Sequence, residues 1–247
     1  MGKAPETRVS PMIPACDNHI RDGIGRRPGA SREKIMEAIF QTIARIGIVP
    51  VIKLESAESA LALGKALLDG GLPLAEVTFR TQAAAASILA LRKAYPDLIT
   101  GAGTVLTTAQ AEAAIAAGAS YIVTPGFNPR IVDFCLARNM PIVPGINSPS
   151  QVEQGLERGL SLLKFFPAEA SGGVKMLKAL HGPYAEVSFI PTGGVEPANL
   201  AQYLALPYVA AVGGSWMVKE DLLAAGSFDE ISRLCAEAVG LVKKLRS

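Results

Sequence analysis

A lysine, a glutamate, an arginine and two glycine pairs are the residues of this chain whose types and spacing could do chemistry. Lys164 ends an apolar run, Leu160-Ser161-Leu162-Leu163-Lys164-Phe165-Phe166-Pro167. An amine delivered into apolar surroundings is favoured as the neutral form, the form that attacks a carbonyl. The same octapeptide also fits a lysine whose stem covers the phenylalanines while its ammonium reaches solvent. Glu76 lies in Leu74-Ala75-Glu76-Val77-Thr78, with Arg80 just beyond. A buried carboxylate beside an amine could shuttle protons while a carbinolamine forms and dehydrates, or could be a structural ion pair. Arg80 could hold a carboxylate with two parallel hydrogen bonds, and Thr104 in Gly101-Ala102-Gly103-Thr104 could donate its hydroxyl to the same group. Arg80 as a solvated loop charge and Thr104 as a turn residue are the structural alternatives. Gly193-Gly194 and Gly213-Gly214-Ser215 would let backbone amides and one hydroxyl approach an oxyanion, as a phosphate site requires.

The elements that would carry these residues alternate along the chain. Apolar periodicity and glycine or proline breaks predict helices over 31–44, 56–69, 82–94, 107–117, 129–138, 149–157, 174–180, 197–204, 217–225 and 228–245. Between them fall short apolar strands at 46–52, 74–78, 98–102, 121–124, 142–144, 162–165, 187–190 and 209–212. Strands this short and this apolar are covered on both faces. The repeated units predict an α/β fold, a closed (β/α)8 TIM barrel with an N-terminal helix. The first strand-to-helix turn, Lys53-Leu54-Glu55-Ser56, has no glycine fingerprint, which argues against a dinucleotide fold. In the barrel Glu76 lies within the second strand and the other residues at or just past strand ends, so the functional groups are expected on one rim. Strand alternation puts Glu76 and Thr78 on one face and Val77 on the other.

Composition narrows the classes. The 247 residues are 49% hydrophobic and 19% charged, which fits a compact enzyme-like body and not a disordered chain. Lys plus Arg number 24 against 22 Asp plus Glu, too balanced a charge to attract a nucleic acid backbone. Cys16, Cys135 and Cys235 are widely spaced, and His19 and His181 have no clustered ligands, so neither a disulfide scaffold nor a metal site is expected. No run of about 18 apolar residues suggests a membrane span, and no signal peptide is evident at the N-terminus. A cytoplasmic protein with no membrane partner is the expectation. Residues 1–30, with Pro5, Pro11, Pro14 and Pro28, read as an irregular extension, and 31–247 as a single domain.

Taken together, the order of motifs resembles the 2-keto-3-deoxy-6-phosphogluconate (KDPG) and 4-hydroxy-2-oxoglutarate (KHG) aldolases over roughly residues 40 to 240. The resemblance is carried by Val49-Pro50-Val51-Ile52, Glu76-Val77-Thr78-Phe79-Arg80-Thr81, Gly101-Ala102-Gly103-Thr104-Val105, Pro144-Gly145-Ile146, Lys164-Phe165-Phe166-Pro167-Ala168-Glu169, Pro191-Thr192-Gly193-Gly194-Val195 and Gly213-Gly214-Ser215-Trp216. It implies that Lys164 forms the imine and Glu76 is the acid/base. It further implies that Arg80 and Thr104 hold the pyruvyl carboxylate, that Pro125 and Phe166 line the pocket, and that Gly193, Gly194, Gly214 and Ser215 take the phosphate. No cofactor or metal is implied, because the protonated imine serves as the electron sink. The substrate would be a phosphorylated 2-keto acid, the product pyruvate, and the assembly a homotrimer. Phe127 and Asn128 depart slightly from the pattern and are expected near the pocket, where they would alter tolerance toward the aldehyde. Rival readings are an aldolase for the galactonate epimer, a cofactor-free phosphosugar isomerase or epimerase, and a barrel-shaped binding protein that forms no covalent adduct.

Overall fold

The computed structural model describes residues 32–246. The expected extension over 1–30, the helix start at Ser31, Cys16 and His19 lie outside the described residues. Within them, helix and strand alternate: α1 (Arg32–Ile46), β1 (Ile48–Ile52), α2 (Ser59–Asp69), β2 (Leu74–Thr78), α3 (Ala84–Ala94), β3 (Ile99–Gly103), α4 (Thr108–Ala116) and β4 (Tyr121–Val123). The chain continues through α5 (Pro129–Ala137), β5 (Ile142–Val143), β6 (Gly145–Ile146), α6 (Pro149–Leu156), β7 (Leu162–Phe165), α7 (Gly173–His181), β8 (Ser188–Pro191), α8 (Leu200–Leu204), β9 (Val212–Gly214), α9 (Glu220–Ala224) and α10 (Phe228–Arg246).

Local chemistry sets many of these boundaries. Thr107 caps α4 by accepting a hydrogen bond from the Gln110 amide at 3.1 Å. Asn128 caps α5 by accepting from the Arg130 amide at 3.1 Å, with Pro129 pre-set for the first turn. Gly118 and Gly159 leave α4 and α6 with φ of 87° and 72°, a left-handed conformation that costs glycine nothing.

All strand pairs are parallel, in two ladders ordered β5-β4-β3-β2-β1-β9 and β6-β7-β8. The expected closed barrel is therefore corrected to a curled sheet in two hydrogen-bonded pieces, surrounded by helices. Its fifth strand is interrupted at Pro144, which has no N–H to donate. Before it, β5 pairs with β4; after it, β6 pairs with β7, and the Pro144 carbonyl accepts from the Lys164 amide at 2.9 Å. At the other seam only isolated bridges connect the pieces: Phe189 of β8 to Val209, which precedes β9, and Thr192, which follows β8, to Gly213 of β9. The last strand also falls later than the periodicity suggested, at 212–214 and not 209–212, because Gly213 and Gly214 are strand residues pairing with Val49 and Pro50.

The core is continuous from the inner sheet to the helices, with Ile48, Ile52, Leu74, Val77, Ile122, Leu163, Phe165 and Phe189 almost fully buried. Burial pushes the thiols of Cys135 and Cys235 up to about 12, so both behave as small apolar side chains.

Candidate active site

Every residue of β2 is buried, and its alternation aims Glu76 across the inside of the curl. The neighbouring strand makes room for it: a Cβ on Gly103 would lie 2.4 Å from Glu76 Oε1, so a side chain there would displace the carboxylate. Lys164 comes from β7, on the other ladder. Its Nζ donates to Glu76 Oε1 at 3.4 Å, a long hydrogen bond within an ion pair of which each residue is only about one-twentieth exposed, 5% for Lys164 and 4% for Glu76. The solvated lysine that the octapeptide also allowed is thereby excluded. Phe165 points into the core and is fully buried, whereas Phe166 is half-buried with its ring centroid 5.2 Å from Lys164 Nζ.

Arg80 lies beyond the end of β2 and is exposed. Its Nε donates to Thr78 Oγ1 at 3.2 Å, and Thr78 in turn donates to the Ile52 carbonyl at 2.8 Å. Thr78 is fully buried and ties the guanidinium to the backbone of β1. If that relay sets the direction of Arg80, Thr78→Val will raise KM for a 2-keto acid roughly 5- to 20-fold, the equivalent of one lost hydrogen bond, and change kcat less. Steady-state kinetics that show KM unmoved would remove Thr78 from this role.

Thr104 follows β3 with φ of 53°, a left-handed conformation that costs a non-glycine residue about 1 kcal/mol. Hydrogen bonds on either side hold it there: the Phe79 amide to the Gly103 carbonyl at 2.8 Å and the Val105 amide to the Val123 carbonyl at 3.2 Å. Pro125, after β4, is packed against Gly145, where a Cβ would come within 2.2 Å of the Pro125 carbonyl oxygen. Phe127 and Asn128, expected near the pocket, are engaged with neighbouring helices. Asn128 is spent on the α5 cap, and Phe127 packs toward α6, 3.7 Å from a Cβ on Gly155 and 5.7 Å from the Arg158 guanidinium.

The glycine pairs stand where strands β8 and β9 end. Gly193 and Gly194 have φ of 96° and 79°, and their loop is held by hydrogen bonds to its carbonyls: Ala168 to Thr192 at 2.8 Å, Glu169 to Gly193 at 3.1 Å, and Asn199 Nδ2 to Gly194 at 2.9 Å. Behind the loop, Glu169 accepts a hydrogen bond from Tyr203, whose phenol is pushed up by burial and by that bond. Gly213 and Gly214 also answer packing needs. A Cβ on Gly213 would lie 2.3 Å from Thr192 Oγ1, and one on Gly214 would lie 1.9 Å from the Trp216 ring. Ser215 is exposed at the same end.

Lys164, Glu76 and Phe166 are thus brought together inside the curl; Gly214 ends β9, and Arg80, Thr104, Pro125, Gly193, Gly194 and Ser215 follow the strands at the same end. Sequence reasoning passed over Thr78, Glu169 and Tyr121. Tyr121 is 1% exposed and pairs with Gly101 of β3. A polar aromatic residue opening an otherwise apolar strand, opposite Gly101-Ala102-Gly103, was the signal for it. Among the described residues no group of three His, Cys, Asp or Glu side chains is gathered as a metal site, and no helix is long and apolar enough to cross a membrane.

The pattern of the KDPG and KHG aldolases matches residues 39–234. This chain belongs to that family. The 2-dehydro-3-deoxy-phosphogluconate aldolase of Treponema pallidum is 49% identical over 207 residues, covering 84% of this chain and 99% of that protein. The KHG/KDPG aldolase of Escherichia coli K12 is 45% identical over 192 residues, covering 78% and 90%. Among solved KDPG aldolases, that of Legionella pneumophila, with pyruvate captured at low pH as a covalent carbinolamine, superposes with a TM-score of 0.78 at 39% identity, covering 80% of this chain and 96% of that one. The Zymomonas mobilis ZM4 aldolase with 3-phosphoglycerate gives 0.75 at 34% identity, covering 81% and 94%.

Proposed function

We propose that this member of the KDPG and KHG aldolases is a class I, Schiff-base enzyme that cleaves 2-keto-3-deoxy-6-phosphogluconate to pyruvate and glyceraldehyde 3-phosphate. We propose 4-hydroxy-2-oxoglutarate, which would give pyruvate and glyoxylate, as a further substrate. The observation that carries the reading is the buried Lys164–Glu76 pair at 3.4 Å. Transfer of the Lys164 proton to Glu76 leaves a neutral amine, which attacks C2 of the keto acid. Glu76 returns the proton to the carbinolamine oxygen, a second moves there from the nitrogen, water leaves, and a protonated imine remains. The Glu76 carboxylate then takes the proton of the C4 hydroxyl. The C3–C4 bond breaks, its electron pair enters the imine to form an enamine, and the aldehyde departs. Protonation at C3 and hydrolysis release pyruvate and restore the amine.

Arg80 and Thr104 are assigned to the pyruvyl carboxylate, Pro125 and Phe166 to the pocket wall, and Gly193, Gly194, Gly214 and Ser215 to the phosphate. The placement of Gly214 as the last residue of β9, and of the others just beyond the C-terminal ends of parallel strands, supports the assignment. We read the curled sheet as an open, two-piece form of the (β/α)8 architecture, and residues 31–247 as one domain preceded by an extension. The exposed Leu89 of α3 and Leu106, just before α4, support a homotrimer. The near-neutral formal charge of +2 supports a cytoplasmic enzyme that binds neither nucleic acid nor membrane.

Borohydride reduction in the presence of pyruvate tests the central step. The expected product is a protein heavier by pyruvate less water plus two hydrogens, with the modification on the peptide that contains Lys164. A turnover-competent protein with no adduct there would exclude the imine route and favour an enolisation of the isomerase type.

A further inference from the structure

Tyr121 begins β4 and is 1% exposed, yet its hydroxyl has no hydrogen-bond partner among the described residues. A hydroxyl left alone in the interior costs stability, and phenylalanine would fill the same space without that cost. Its ring is placed by β3. A Cβ on Gly101, the residue paired with Tyr121, would lie 2.3 Å from Tyr121 Cζ, the carbon that bears the hydroxyl. On the same face of β3, two residues on, a Cβ on Gly103 would lie 2.4 Å from Glu76 Oε1. Same-face positions on a strand are roughly 6–7 Å apart, so the phenol and the carboxylate fill adjacent windows. The phenol is the deeper of the two, toward the strand starts and away from the rim. Burial, with the charge on Glu76 adding to it, pushes the phenol well above its ordinary value, so it stays a hydrogen-bond donor.

The groups facing Glu76 are few. Lys164 comes from β7 and Tyr121 from β4; β1, β3, β6, β8 and β9 contribute no ionisable side chain, and Arg80 is turned to Thr78. In the protonated imine the Lys164 nitrogen keeps one N–H in place of the ammonium's three, so Glu76 has fewer donors at the stage where its carboxylate must take the C4 hydroxyl proton. We propose that Tyr121 is a positioning residue that then donates its hydroxyl hydrogen bond to the Glu76 carboxylate. This inference rests on the imine reading above. The hydroxyl is retained against its burial cost because it holds the carboxylate aimed at the C4 hydroxyl while Lys164 is covalently occupied as the imine.

Tyr121→Phe removes the hydroxyl and nothing else. The expected variant has an equal or higher Tm and the same borohydride-trapped pyruvate on Lys164. Its kcat is lower by roughly 5- to 30-fold, the equivalent of a lost hydrogen bond to a charged group. The acid limb of its kcat–pH profile moves to higher pH, since a hydrogen bond donated to a carboxylate favours the ionised form and its loss does the reverse. Unchanged kcat with an unmoved acid limb overturns the inference. A lower Tm with an unmoved limb overturns it too, because the tyrosine is then structural. If the unsubstituted protein traps no pyruvate on Lys164, the imine reading falls first and this inference falls with it.

Discussion

Lys164→Met should reduce aldol cleavage by at least about 10⁴-fold and abolish the borohydride-trapped pyruvate adduct, because no other group at the site can supply the covalent nitrogen. Methionine keeps the length and apolar character of the stem, so the loss will not come from a collapsed pocket. The substitution does, however, leave Glu76 without its cation at 4% exposure. Removing one partner of a buried ion pair typically costs about 3–5 kcal/mol, whereas removing both can be neutral. The two effects separate in a double-mutant cycle. Lys164→Met alone should lower the midpoint of denaturant unfolding, and Lys164→Met combined with Glu76→Gln should recover most of that stability while remaining inactive. If Lys164→Met retained cleavage within a factor of about ten, the amine would be acting through its charge alone, and that would count against covalent catalysis.

Glu76→Gln should lower kcat by about 10²- to 10⁴-fold, the usual contribution of a positioned general acid/base. The amide keeps the volume that Gly103 leaves open and keeps an oxygen to accept from Lys164, 3.4 Å away in the unsubstituted protein. Pyruvate should therefore still be trapped on Lys164 with borohydride, at a slower rate, which distinguishes lost proton transfer from lost binding. The acid limb of the kcat–pH profile should vanish as well, since the variant has no carboxyl group there to protonate. Near-normal turnover, within a factor of about three, would move the proton-carrying role to another group or to solvent.

Much of the scaffold was legible from local rules. Apolar spacing located the helices, and Asn128-Pro129 and Thr107 marked where two of them start because capping depends on residues only two or three positions apart. Period-two alternation was enough to put Glu76 and Thr78 on a different face from Val77. The same local reading put Asn128 and Phe127 near the pocket without foreseeing their partners, because a residue near a strand end has two possible destinations. Asn128 turned to its own helix and Phe127 to α6. Pro144 was read as the end of a strand, whereas the chain continues past it with a new partner, an outcome set by β7 and not by the proline's neighbours. Gly213 and Gly214 were read as a phosphate turn; both are also glycines because Thr192 and Trp216 occupy the space their side chains would need.

The sequence by itself determined the alternation of elements, the family, and the identity of the amine, carboxylate and arginine as chemistry-bearing residues. Each of those depends on residue type and on spacing within a single element. What only the tertiary structure decided is which side chains meet. Lys164 and Glu76 are 88 positions apart and sit on separate ladders, so their 3.4 Å contact depends on how the sheet curls. The room for Glu76 and Tyr121 comes from Gly103 and Gly101 on a third strand, through a register that pairs Glu76 with Gly101 and Gly101 with Tyr121. A pattern read along the chain carries no information on the register between strands, and register places a carboxylate, an amine and a phenol in one interior.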